Sequence, residues 1–179
     1  MRATRRRAAW GLLAAIATVP LAGHTPYRQW VVYRERHLLI GCRRDDPEGY
    51  ALAKALEFEL WSHLPDSSAR VARAPHAERL ASLLATAQLE VALLDTATAL
   101  AMRSGEGPFA AYGALDLVVL ARLEDRLLLA RADFPARHAW LVAEALAESP
   151  LVLAPAEAPF AWHPGALAFH AGSPEPPGP

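Results

Sequence analysis

Cysteine and lysine are almost missing from this chain of 179 residues, which holds one of each, Cys42 and Lys54. A single cysteine excludes an intramolecular disulfide and any zinc or iron–sulfur site built from several thiolates of one chain. Walker loops and G-x-S-x-G elbows are also missing, and Gly105-Glu106-Gly107 follows a predicted helix, so it is not a phosphate loop. The histidines form no H-x-x-x-H or H-E-x-x-H pair. His163 and His170 stand about two helical turns apart, too far to share a metal unaided. Cys42 has no basic neighbour except Arg43, and a buried thiol is inert. These absences predict a protein that is not an enzyme and needs neither cofactor nor metal.

Charge of one sign is also scarce: 18 basic residues meet 19 acidic ones. Arg2, Arg5, Arg6 and Arg7 precede the first acid, Glu35, which leaves 14 basic against 19 acidic residues from His24 on. A mildly acidic body excludes the basic face that a nucleic-acid binder needs. Apolar residues make up 53% of the chain and charged ones 21%, which excludes global disorder. The length is too short for a two-lobed binding protein or a TIM barrel.

What is present begins with an address. Met1–Arg7 is positively charged, and the 16 residues of Ala8–Gly23 carry no charge. That is the layout of a bacterial signal peptide, or of a short membrane anchor extended by Trp30 and Tyr33. Both readings stay open, because His24 stands where a lipoprotein box needs cysteine and Pro20 fits a cleavage site poorly. Either way the body is expected in the periplasm, exported or tethered to the inner membrane. Residues 24–36 read as a linker. Leu39-Ile40-Gly41-Cys42 fits a lipobox spacing too, but Arg34, Glu35, Arg36 and His37 exclude it, so Cys42 is read as a buried residue ending a strand.

Residues 37–172 predict one α/β domain. Leu38–Cys42 is an apolar run read as a buried strand, and Gly49–Leu64 carries helical spacing through Leu52, Leu56, Leu60 and Trp61. Ala69–Ala74 is a second strand, and Pro75 opens a helix with Leu80, Leu83 and Leu84 on one face. Glu90–Asp95 is a third strand, and the helix Thr96–Ser104 is stopped by Gly105. Leu115–Ala121 and Arg126–Ala130 predict a hairpin, and Pro135–Glu148 a helix with Trp140, Leu141, Ala145 and Leu146 inward. His163, followed by Pro164, reads as part of a structural turn. Ser173–Pro179 is a Pro-rich tail expected to be disordered. The order implies a three-layer α/β sandwich in which three parallel strands are joined by right-handed crossovers and a hairpin completes the sheet.

Several segments in this order are similar to those of the solute receptors of TAXI-type TRAP transporters, a branch of the periplasmic substrate-binding proteins. They are Leu38-Leu39-Ile40-Gly41, Tyr50–Leu56 (YALAKAL), Glu78–Ala92, Gly105–Phe109 (GEGPF), Leu127–Asp133 (LLLARAD) and His163-Pro164-Gly165-Ala166-Leu167. The resemblance covers roughly residues 38–170 and implies one lobe of such a receptor, with a membrane transporter as partner. The sequence departs from the family twice. Arg43-Arg44-Asp45-Asp46-Pro47-Glu48 replaces a Gly-rich loop, so three acids stand where an anionic solute would be held. Ala132-Asp133-Phe134 runs directly into Pro135–Glu148, so the resemblance implies a shortened form lacking the second lobe.

Ligands of open α/β sheets bind beyond the carboxyl ends of the strands. The tentative ligand-binding residues there are Arg43, Arg44, Tyr50, Asp95, Thr96 and Thr98. Arg43 and Arg44 suit a carboxylate, although Asp45 and Asp46 can neutralise them locally. Asp95 and Thr96 suit a hydrogen-bonding ligand, but the favoured reading is a helix cap, and Tyr50 either lines the cleft or packs in the core. Two functions follow as expectations. One is a non-enzymatic solute-binding module for a small organic molecule such as a carboxylate, with a homodimer restoring the second lobe. The other is a membrane-tethered accessory or scaffold protein whose vestigial cleft docks a periplasmic protein.

Overall fold

The continuous apolar runs within Leu39–Arg43, Val91–Asp95 and Arg126–Arg131 dictate a sheet covered on both faces. The computed structural model describes residues 37–153, 155 and 158–178. The signal peptide or anchor at 1–23 and the linker at 24–36 lie outside the described residues. The strands are β1 (Leu39–Arg43), β2 (Arg70–Ala74), β3 (Val91–Asp95), β4 (Leu117–Leu123) and β5 (Arg126–Arg131). The helices are α1 (Pro47–His63), α2 (Ala77–Ala85), α3 (Thr96–Ser104), α4 (Ala136–Ala145) and α5 (Pro164–His170). The sheet order is β2-β1-β3-β5-β4. Strand β1 pairs in parallel with β2 and β3, and β5 runs antiparallel to both β3 and β4. The fold is therefore α/β with a mixed five-stranded sheet, as the element order implied. Among the described residues no helix is long and apolar enough to cross a membrane.

Successive residues of one strand serve opposite layers. Ile40 and Cys42 of β1, Val91 and Leu93 of β3 and Leu128 and Ala130 of β5 join the core beneath α1 and α4. Ala92, Leu94, Leu127 and Leu129 join the core beneath α2 and α3. Gly41 is required on that second face, because a Cβ there would meet the Leu89 and Leu80 side chains. A bulge between Val119 and Ala121 shifts the register of β4 against β5.

The helix ends follow the caps in the sequence. Asp46 caps α1, which starts at Pro47, two residues before the periodic run from Gly49; His76 caps α2, and Asp95 caps α3. Gly105 closes α3 in the left-handed conformation, as expected. Helix α4 stops at Ala145, three residues short of the expected Glu148, and β4 extends to Leu123 through residues read as the hairpin turn. Trp61 is a larger correction. Spacing placed it with Leu60, but neighbouring helical residues point about 100° apart. Leu60 takes the core, and Trp61 is 57% exposed.

The Pro-rich return of the chain seals the far edge of the sheet. The Val119 N–H donates to Ala161 O at 2.9 Å, and the His163 N–H donates to Val119 O at 2.8 Å. His163 then caps α5: its Nδ1 accepts the Gly165 N–H at 3.1 Å. A ring nitrogen that accepts carries no proton, so Nε2 is protonated and donates to Phe134 O at 2.8 Å. Gly165 lies against the Ala136 carbonyl so closely that no Cβ fits. Trp140 and Phe169 complete the α4–α5 seam, edge to face at 5.4 Å.

Burial lowers the pKa of His163, only partly offset by its bond to the Phe134 carbonyl. The unfolded chain thus binds the proton more readily, and the stability that neutral His163 supplies is lost as pH falls below the ordinary histidine value. His170 is shifted downward by burial in the same sense. The Tm is expected to fall on acidification from about pH 7 to about pH 5. His163→Ala should cost about 1–3 kcal/mol at neutral pH, because it orphans the Phe134 carbonyl. The same variant should flatten that pH dependence, and thermal melts across the range check both effects.

Candidate functional site

Parallel pairing of β1 with β3 brings two strand ends and two helix starts to one edge. Arg43 ends β1 and Asp95 ends β3. Asp46 caps α1 by accepting the Gly49 N–H at 2.9 Å. Asp95 caps α3: its Oδ1 accepts the Thr98 N–H at 2.8 Å, and its Oδ2 accepts the Thr98 hydroxyl at 2.8 Å. Each helix N-terminus, the natural seat for an anion, is thus faced by a carboxylate of the chain itself.

Two arginines hold those carboxylates. Arg43 donates through Nε to Asp45 at 3.0 Å, and through Nη1 to Asp95 at 3.4 Å and to the Thr98 hydroxyl oxygen at 3.2 Å. Arg126, at the start of β5, donates to Asp46 through Nη1 at 2.5 Å and Nη2 at 3.1 Å. Its side chain is only 8% exposed, and that of Asp46 15%. Burial alone would raise the Asp95 carboxyl. The Thr98 amide and hydroxyl and the charges of Arg43 and Arg126 outweigh it and hold Asp95 below the ordinary carboxylate value.

Of the six residues expected at a ligand site, three form one network: Arg43, Asp95 and Thr98. Thr96 lies beside it, its hydroxyl donating to Asp125 O at 3.3 Å and tying α3 to the hairpin turn. Tyr50 is not part of this network. It packs partly into the core, with the Arg73 guanidinium 4.4 Å above its ring. Arg44 is exposed, and its N–H donates to Ala74 O, continuing the β1–β2 ladder. Asp45 neutralises Arg43 as the loop sequence implied, but Asp46 does not serve Arg44. It is taken by Arg126, 80 residues away.

Arg126 was not among the expected site residues. The one available signal was a charged residue opening the apolar run Leu127–Ala130, directly after the turn residue Asp125. The register sets Arg126 opposite Asp95, which aims it at both caps. Cys42 is no nucleophile: burial raises its thiol to about 11, only partly opposed by Arg73. Among the described residues no three His, Cys, Asp or Glu side chains are grouped to hold a metal ion.

A groove lies at the other end of the sheet. It has a volume of about 740 Å³ and follows the amino ends of β1 and β3 and the start of α4, lined by Leu38, Leu64, Leu89, Phe134, His138 and Leu141. A second, of about 560 Å³, is bordered by Tyr112, Asp116, Arg131 and Asp133. There Arg131 is committed to Asp133 through two bonds of 2.8 and 2.6 Å and to Leu84 O at 2.5 Å. No family model matches the chain, and no curated protein matches it.

Removing Arg126 leaves the largely shielded Asp46 charge without its counter-charge. Arg126→Ala is expected to cost about 3 kcal/mol or more in urea unfolding. Arg126→Lys should recover only part of that loss, since an ammonium cannot reproduce the two-pronged contact.

Proposed function

We propose that this chain is a non-enzymatic, membrane-tethered accessory module of the bacterial periplasm, acting through protein contacts rather than by capturing a solute. It would be a single α/β lobe related to that of TAXI-type TRAP solute receptors. One observation carries the reading. At the carboxyl ends of the strands the two helix N-termini face Asp46 and Asp95, and those carboxylates are already bound by Arg126 and Arg43. An organic acid arriving there would meet two fixed negative charges and would have to displace internal ion pairs.

The segments that resemble the receptors do structural work in this chain. Arg131 and Asp133 of LLLARAD bind each other, and His163 and Gly165 of HPGA close α5 onto α4. They support a related lobe without requiring ligand chemistry. The sheet with a helix layer on each face is compatible with such a lobe. In the solute-binding reading, Arg43, Asp95 and Thr98 must exchange their protein partners for the ligand. The missing lobe is also needed, since a flytrap closes two lobes on its ligand.

A thermal-shift screen of the full chain against small carboxylates, amino acids and sugars separates the readings. Ligand at one hundred times its Kd stabilises by about 2.7 kcal/mol, which is several degrees for a domain of this size. The expected result is no saturable shift. A saturable rise in Tm that disappears in Thr98→Val would establish solute binding at this edge and refute the accessory reading.

A further inference from the structure

The outward face of α1 is polar at its start and aromatic near its end. Phe58 and Trp61, one turn apart, are 68% and 57% exposed, the two most exposed large apolar side chains among the described residues. The other two, Leu100 and Leu167, lie on different helices. Beside the pair, Lys54 and Glu57 neutralise each other at 2.7 Å, and Glu57 also accepts the Val71 N–H. Glu59 lies 3.7 Å from His63. Nothing in the core calls for an aromatic at either position, since Leu56 and Leu60 already fill the buried side of the helix.

Their place in the fold gives the pair a direction. Helix α1 runs back along β1, so its last turns lie at the amino end of that strand. There the Leu38 N–H donates to Ser67 O at 2.9 Å. The chain enters the described domain at this end, at His37. The uncharged run Ala8–Gly23 ends 14 residues upstream, a reach of at most about 50 Å.

We infer that the end of α1 bearing Phe58 and Trp61 rests on the phospholipid surface, with both rings entering the headgroup layer. Trp in particular favours that layer, where its apolar ring is covered and its N–H stays wet. The inference rests on the reading of residues 1–23 as a membrane tether. It turns the Arg126–Asp46 edge away from the bilayer, toward proteins of the periplasm.

The test uses the full chain in vesicles of phosphatidylcholine and phosphatidylglycerol. Trp61→Cys and, at the opposite end of the sheet, Glu124→Cys are each labelled with an environment-sensitive fluorophore. Cys42 is buried and does not compete for the label. Flotation is measured first, and then quenching by lipids spin-labelled near the headgroup. The expected outcome is that both variants float, and that the label at 61 is blue-shifted and loses about half its emission or more, while the label at 124 is unaffected. If both float and position 61 stays in water, the surface assignment is overturned and the tether stands. A blue shift at 61 without lipid quenching overturns it in favour of a second copy or another protein on this face. If neither floats, the tether reading itself fails and the inference falls with it.

Discussion

The guanidinium of Arg126 reaches from the start of β5 to the carboxylate of Asp46, 80 residues earlier in the chain. Both partners are largely shielded from water, so each depends on the other. That contact fixes the hairpin against the first β–α turn and sets where α1 begins, because Asp46 also caps that helix. Space around it is limited: a Cβ on Gly49 would run into the Asp46 carboxylate. Arg43 repeats the arrangement one strand away with Asp95 and Thr98. The edge where an open α/β sheet usually receives its ligand is here filled by the chain's own charges.

The opposite edge has a different character. Its groove mixes leucines such as Leu38, Leu64, Leu89 and Leu141 with polar groups such as Asp66, Gln88 and Glu90, and the described chain begins beside it at His37. The aromatic end of α1 lies at this edge too. The sheet thus separates an end crossed by internal ion pairs from an end whose groove is lined by apolar and polar side chains together.

Much of the fold was legible in the sequence because its signals are local. The apolar runs of β1, β3 and β5, the Asp95 cap and the Gly105 stop each depend on a few neighbouring residues. His163 was readable as structural from the proline after it, although its bond to Phe134 was not. The misreadings share a cause. Trp61 was grouped with Leu60 by spacing alone, whereas only the position of the core decides which of two adjacent helical residues is buried. Arg126 and Asp46 were not paired because no local pattern links residues so far apart. Tyr50 has two readings in the sequence, cleft or core, and its packing against the core with Arg73 over its ring depends on a strand that no local pattern links to it. A candidate site assembled from strand ends is therefore legible in outline, but whether it stands open depends on long-range ion pairs.

The closed state of that edge can be observed directly from the arginine side-chain N–H signals of Arg43 and Arg126 in NMR spectra. The account predicts that both exchange slowly with water at neutral pH, and that neither moves when small carboxylates are titrated in. Rapid exchange of both signals, or a saturable shift of either one with a carboxylate, would contradict it and show an edge open to ligand.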